Sequence, residues 1–139
     1  MLRSQLTHPD ILRALATSGH TGKIFIADGN YPFSTLANPN APRVYLNLAP
    51  GIVPVTDVVR VLLSAIPVEA AEVPMTADGS APAIHADFRA LLGDLPLTIL
   101  APKDFYNAAC GSDIALVIAT GEQRLYANII LTIGVVKPS

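Results

Sequence analysis

The sequence predicts an α/β fold: one layered domain, spanning residues 1–139, in which a mixed sheet is flanked by helices. Short apolar runs typical of buried strands alternate with segments whose apolar residues repeat at helical spacing, and this alternation indicates a layered α/β domain. The last two apolar runs are joined by a short polar connection, so they are expected to form a hairpin-like pair that makes the sheet mixed. A chain of 139 residues is long enough to bury a core in one domain.

The N-terminal half predicts a helix, two strands and a second helix. Thr7 is the expected N-cap of the first helix, Asp10 occupies a capping-box position, and Gly19 follows the helix end. KIFIA is expected to be a short buried strand, and a loop rich in Asn, Pro and Gly separates it from a second strand, RVYLNL. Apolar residues at helical spacing from Val55 onward predict the second helix, which Pro67 ends.

The C-terminal half continues the alternation. VEAAEV is expected to be a strand, APAIHADFRALLG a helix that ends at Gly93 and carries His85 on its surface, and LTIL a strand. A short helix from about Lys103 to Cys110 precedes the last two strands, IALVIA and YANIILTI. In chain order the expected elements are helix 8–18, strand 23–27, strand 43–48, helix 55–66, strand 68–73, helix 81–93, strand 97–100, helix 103–110, strand 114–119 and strand 126–133.

The composition limits the classes of function. Hydrophobic residues make up 51% of the chain and charged residues 14%, whereas about 25% is usual for charged residues in soluble domains. Such a chain is expected either to span a membrane or to hide apolar surface in a homo-oligomer, and prolines interrupt every run that approaches the length of a membrane span. The net charge of −2 and the scattered basic residues exclude a nucleic-acid footprint. The N-terminus does not resemble a secretory signal, so the cytoplasm is the expected location.

Four polar residues stand where they can serve a site. His20 lies in a loop between a helix and a strand, where it can transfer protons or simply bond to a helix-end carbonyl. Asp28 ends a strand at the edge where open α/β sheets bind ligands, or it is a turn residue bonded to its own backbone. Tyr126 and Asn128, two positions apart, are expected to share one face of the last strand, facing a ligand or forming a core pair.

Other site types lack their sequence patterns. His8 and His85 have no partner at metal-ligand spacing, Cys110 is the only cysteine, and a zinc site is not predicted. The glycine-rich phosphate-binding motifs are absent as well, so no nucleotide cofactor is implied.

Several of these segments together resemble a known family. The helix that ends in Gly19 and His20, the strand leading to Asp28, and the C-terminal pattern TGE, YANIIL, GV are similar to the D-ribose pyranase and L-fucose mutarotase family (RbsD/FucU). The resemblance covers nearly the whole chain. It implies a ring-shaped homo-oligomer, commonly decameric, whose sites lie at subunit boundaries and interconvert forms of a free monosaccharide without a cofactor.

The resemblance also implies roles for individual residues. His20 matches the histidine taken as the family's proton donor, and Lys103 is the only basic candidate near the place where relatives carry a histidine or an arginine before the phenylalanine matching Phe105. Substrate type therefore stays open between an L-fucose-like and a D-ribose-like aldose, with a slight preference for the former. The residues that the resemblance assigns to sugar binding are Asp28, Glu69, Tyr106, Tyr126 and Asn128.

One geometric question accompanies this interpretation. About four strand residues, or about 13 Å, separate the His20 loop from Asp28. Both can contact one small sugar only if the loop folds back or if the two residues come from different subunits. A non-catalytic sugar-binding or regulatory ring is the alternative function, and a purely structural oligomer is a third.

Overall fold

The computed structural model describes residues 1–139 as one six-stranded sheet with four helices. The strands are β1 (Lys23–Ala27), β2 (Arg43–Tyr45), β3 (Val68–Pro74), β4 (Leu97–Leu100), β5 (Ile114–Ala119) and β6 (Ile129–Ile133). The helices are α1 (Pro9–Thr17), α2 (Val55–Leu63), α3 (Ile84–Leu92) and α4 (Pro102–Ala109). No helix is both long enough and apolar enough to cross a membrane.

The strand order is β2-β5-β1-β6-β3-β4, and only β6 runs antiparallel to its neighbours. The sheet is therefore mixed, as the sequence predicts. The predicted hairpin is wrong, because β1 lies between β5 and β6 and pairs with both. The connection from 120 to 128 crosses the end of β1 instead of turning back on β5. This crossing brings the segment 120–128 next to the residues that follow β1.

The two faces of the sheet bury different side chains because successive residues of a strand point to opposite faces. Ile24 and Ile26 of β1 belong to the larger core, which α1, α2 and α3 cover. Phe25 belongs to a smaller core on the other face, where its ring lies 4.7 Å from that of Tyr31 and 5.7 Å from that of Phe105. This second core joins α4 and the loop after β1 to residues of β5 and β6, so that loop is held by aromatic packing.

The N-terminus of α1 differs from the prediction. His8, not Thr7, is the N-cap, and its Nδ1 accepts a hydrogen bond from the Ile11 amide at 3.4 Å. Pro9 occupies the first helical position, where its fixed φ suits a helix and its missing N–H costs nothing. The helix therefore begins one residue later than a Thr7 cap would place it.

His85 is buried rather than on a helix surface. Its Nε2 donates a hydrogen bond to the Pro74 carbonyl at 3.0 Å, and its Nδ1 has no hydrogen-bond partner. Burial lowers the pKa of His85, because the charged imidazolium is poorly solvated there. This histidine joins α3 to the end of β3.

β2 is shorter than the predicted strand RVYLNL. It ends at Tyr45, although the Leu46 amide still donates to the Ala119 carbonyl at 2.8 Å. The chain then turns through Gly51, whose φ of +81° is readily adopted by glycine. The turn returns the chain to the start of α2.

Candidate active site

The predicted site residues form two groups at opposite ends of β1. His20 precedes the strand and lies against Glu69 at the start of β3. Asp28 follows the strand and lies against Asn128, just before β6. Because β6 is antiparallel to β1, its first residues meet the carboxyl end of β1 and its last residues meet the amino end. We call these groups the His20 group (His20 and Glu69) and the Asp28 group (Asp28 and Asn128).

In the His20 group, an exposed imidazole faces a carboxylate. His20 Nε2 lies 3.1 Å from both Oε1 and Oε2 of Glu69, and the two side chains are 51% and 44% exposed. The loop before β1 is tied to the end of β6, because the Thr21 amide donates to the Ile133 carbonyl at 3.0 Å. His20 therefore bonds to a side chain from another strand and not to a helix-end carbonyl.

In the Asp28 group, nearly every polar atom has a partner. Asn128 accepts a hydrogen bond from the Asp28 amide at 2.7 Å and donates one from Nδ2 to Asp28 Oδ2 at 3.1 Å. Asp28 Oδ1 also accepts from the amides of Asn30 and Tyr31, at 2.9 and 2.8 Å. Asp28 is thus bonded to the backbone of its own turn, as one of the two sequence interpretations expects. It also contacts the Asn128 side chain. Burial raises the pKa of Asp28, although these hydrogen bonds act in the opposite direction.

Tyr126 does not lie on a strand. Its φ is +59°, in the left-handed region, and β6 begins only at Ile129, so the expectation that Tyr126 and Asn128 share a strand face is wrong. Tyr126 is half-buried and lines a cavity of about 350 Å³ with Thr76 and Arg124. Asn128 is buried instead. The two side chains therefore have different surroundings although they are two positions apart.

Tyr106 belongs to the surroundings of the Asp28 group. It lies on the exposed side of α4, and its ring centroid is 5.6 Å from that of Tyr31. Tyr31 in turn donates its amide to Asp28 and its hydroxyl to the Leu36 carbonyl, at 2.7 Å. Tyr106 is 39% exposed, so its ring remains accessible from outside the chain.

Sequence reasoning missed Glu122, which fixes the segment carrying Tyr126 and Asn128. Its buried carboxylate accepts hydrogen bonds from the Val55 amide at 3.0 Å and from Arg124, whose Nε and Nη2 both lie at 2.9 Å. These donors outweigh the effect of burial and lower the pKa of Glu122 to about 2. The segment is thereby attached to the N-terminus of α2. The polar sequence TGEQRL gave no sign that one of its carboxylates would be buried.

A polar cleft of about 400 Å³ opens beside the Asp28 group, at the carboxyl ends of β1 and β5. Asn30, Asn47 and Gln123 contribute amide side chains to its lining. Gly121 forms part of the wall, and a Cβ there would collide with the carbonyl oxygens of Ala49 and Ile52. The cleft lies at the edge where open α/β sheets bind ligands. No three His, Cys, Asp or Glu side chains come together in a way that could hold a metal ion.

Comparison with known proteins places the chain in a family. The model of the RbsD / FucU transport protein family matches residues 1–136. The chain belongs to the RbsD/FucU family. This confirms the resemblance indicated by the segments around His20, Asp28 and Asn128.

Individual RbsD/FucU relatives cover almost the full length. A D-ribose pyranase of Paracidovorax citrulli is 35% identical over 135 residues, which are 97% of this chain and 98% of the relative. The structure of Bacillus subtilis RbsD complexed with D-ribose has a TM-score of 0.86 at 28% identity, covering 99% of this chain and all of that one. A fucose mutarotase from Streptococcus pneumoniae, in complex with L-fucose, has a TM-score of 0.81 at 29% identity and covers 94% of each chain.

Proposed function

We propose that this protein is a sugar ring isomerase, a pyranase or mutarotase that interconverts the ring or anomeric forms of a free aldose of the D-ribose or L-fucose type. The observation that carries the proposal is the exposed His20 imidazole held by Glu69 in a member of the RbsD/FucU family. Histidine is the side chain best suited to proton transfer near neutral pH. Relatives named as a D-ribose pyranase and a fucose mutarotase support the same reaction class.

The reaction needs only proton transfers. A cyclic hemiacetal opens when its ring oxygen gains a proton, its anomeric hydroxyl loses one, and the bond between C1 and the ring oxygen breaks. Reclosure on the other face of the aldehyde, or through another hydroxyl, gives the other anomer or ring size. An acid that donates to the ring oxygen and a set of groups that orient the sugar can accelerate this step. His20 is the proposed acid.

The Asp28 group and two tyrosines are the proposed sugar-binding residues. Asn128 uses one acceptor and one donor position on Asp28, so one N–H and one lone pair remain for a sugar hydroxyl. The Tyr126 phenol makes no hydrogen bond within the chain and lines an open cavity, and the Tyr106 ring is accessible. Both tyrosines can contact the sugar by stacking or by hydrogen bonding.

The proposed site is shared between subunits of a ring-shaped homo-oligomer. The five residues of β1 span about 16 Å, so within one chain the His20 group and the Asp28 group cannot contact the same monosaccharide ring. Two neighbouring chains can bring together the His20 group of one and the Asp28 group of the next. Exposed apolar side chains near the edge strand β2, those of Tyr45, Leu48 and Ile52, supply a surface suited to such contacts.

Mixed rings test the shared site. Co-expression of His20→Ala and Asn128→Ala subunits is expected to restore activity, because about one quarter of the sites in a randomly mixed ring would combine an intact His20 with an intact Asn128. Differently tagged subunits allow mixed rings to be isolated by two affinity steps. Their anomer exchange rate is then compared with the rates of the two parent variants.

A second mixture provides the control. Asp28→Ala and Asn128→Ala alter the same group, so every site in their mixed rings lacks one of these residues and activity should stay low. Restoration in both mixtures, or in neither, would contradict the shared site. Inactive mixed rings would leave the wild-type reaction itself untouched, so the two proposals are tested separately.

The proposed reaction is measured directly by NMR saturation transfer between the anomeric protons of D-ribose and of L-fucose. Wild-type protein is expected to transfer saturation between the anomers of at least one of these sugars at a protein concentration where buffer alone gives none. Exchange among furanose and pyranose forms would identify a pyranase, and exchange only between anomers of one ring size would identify a mutarotase. Absence of exchange in both sugars would contradict the proposal.

A non-catalytic sugar-binding ring is the second candidate. It is favoured by the start of α4, which has neither a histidine nor an arginine just before Phe105. Lys103 is the only basic residue there, and it forms no ion pair. Saturation-transfer difference spectra that show sugar contacts, combined with unchanged anomer exchange, would identify such a protein.

A further inference from the structure

Glu69 occupies an irregular position in β3. Val68 pairs with Ile133 of β6, whereas Ala70 pairs with the adjacent Thr132, so β3 advances two residues while β6 advances one. Glu69 is the extra residue of this β-bulge and has no partner of its own. A bulge of this kind redirects a side chain, and bulges are frequent next to active sites.

The redirected side chain has space because of a glycine. A Cβ at Gly134 would lie 3.3 Å from Glu69 Cβ, which is tighter than most Cβ contacts, and 3.5 Å from Oε2, which is an ordinary contact. The Gly134 amide also donates to the Pro67 carbonyl at 2.8 Å, which fixes the backbone just before the bulge. The carboxylate is thus directed to His20, and both of its oxygens lie 3.1 Å from Nε2.

This contact determines where the proton of a neutral His20 resides. An ionised carboxylate accepts hydrogen bonds and donates none, so the His20 atom that faces it must carry the hydrogen. That atom is Nε2, and Nδ1 makes no hydrogen bond within the chain. In a neutral imidazole with hydrogen on Nε2, Nδ1 holds the lone pair. Nδ1 is consequently the ring nitrogen that is free to exchange a proton with a sugar.

From this geometry we infer that Glu69 is a positioning residue for His20, rather than a residue that contacts the sugar, and that Nδ1 of His20 is the proton-transferring atom. The inference rests on the proposed function. In the opening step, imidazolium Nδ1 gives its proton to the ring oxygen as the bond from C1 breaks, and the anomeric hydroxyl passes its proton to water. Reclosure reverses both transfers, and the hydrogen on Nε2 stays there throughout, hydrogen-bonded to the Glu69 carboxylate.

The test compares Glu69→Gln with wild type by two independent measurements. Nitrogen-15 NMR of histidine-labelled protein at about pH 8.5, where imidazole is neutral, is expected to show Nε2 protonated and Nδ1 unprotonated in wild-type His20. A glutamine can either accept or donate, so Glu69→Gln should give a mixture of the two tautomers. The chain has only three histidines, and His20→Ala identifies the signals.

Kinetics give the second measurement. At metal sites, loss of the partner that orients a histidine typically costs about 10- to 100-fold in activity, and the same orienting role is proposed for Glu69. We therefore expect Glu69→Gln to lower kcat by about that factor with little change in KM, and Glu69→Asp to recover part of the loss. Glu72→Gln is the matched control, because Glu72 lies on the same strand but binds Lys23, at 3.0 Å, and should leave both tautomer and rate unchanged.

Two results would overturn the inference. The first is a wild-type His20 that carries its hydrogen on Nδ1. The second is a Glu69→Gln variant that raises KM while kcat and the tautomer stay as in wild type, which would make Glu69 a sugar contact. An inactive wild-type protein would instead contradict the proposed function, and the tautomer measurement tells these cases apart.

Discussion

Replacing His20 by alanine is expected to lower the rate of anomer exchange by about 10²- to 10⁴-fold, the usual contribution of a general acid or base. The side chain is half exposed and bonds only to Glu69, so its removal should leave the fold intact. The rate is measured by saturation transfer in the sugar on which wild type is active. Thermal unfolding and sedimentation of the same samples check stability and assembly.

A second histidine provides the control for this loss. His8 caps α1 through Nδ1, and asparagine is among the best N-cap residues, so His8→Asn removes a histidine while keeping the cap. Its exchange rate should equal that of wild type. A His20→Ala protein with a wild-type rate would show that the proton donor is another group.

Local sequence patterns predict the bounds of several elements correctly, because turn-forming residues stand at both ends of those elements. β4 and β5 are short apolar runs between turn-forming residues, and the structure has them where the sequence placed them. β6 was predicted too long because YAN continues the apolar run IILTI without a break. The contact of Asn128 with Asp28, one hundred positions away, and the left-handed backbone of Tyr126 end the strand at Ile129. Neither feature has a local signature.

The order of strands was beyond the reach of these patterns. An apolar run shows that a strand is buried but not which strand lies beside it, and a short connection favours a hairpin. Here β1 separates β5 from β6. That insertion is what brings the segment 120–128 over the carboxyl end of β1 and joins Asn128 to Asp28. The Asp28 group therefore depends on a topology that the sequence did not reveal.

Residue type and position identified His20 and Asp28 as candidates, but their partners required the structure. Glu69 is 49 positions from His20, and only the bulge in β3 directs it there. The resemblance assigned Glu69 to the sugar, and the structure sets it against the imidazole. For Glu122, residue type and position gave no candidate at all. It lies in a polar connection, yet its carboxylate is buried and accepts a hydrogen bond from the N-terminus of α2.

Replacing Asn128 by aspartate is expected to destabilise the protein by about 3 kcal/mol at pH 7, the scale for a buried charge without compensation. The change puts a second carboxylate where Nδ2 now donates to Asp28 Oδ2 over 3.1 Å. Two carboxylates at this distance cannot both remain ionised at low cost, so one of the pair is expected to bind a proton with a strongly raised pKa. Burial already raises the pKa of Asp28 in the wild-type chain.

The sign of the pH dependence follows from that raised pKa. In this variant the folded state binds a proton that the unfolded state releases above about pH 4, so stability is retained below that pH and falls as the pH rises. Urea unfolding between pH 4 and 8 measures how steeply the free energy of unfolding falls with pH in this variant and in wild type. Asn128→Ala removes the same hydrogen bonds without adding a charge, so the stability that this variant loses should vary much less with pH. Equal slopes in the two variants would mean that the Asp28 carboxylate does not face the side chain at position 128.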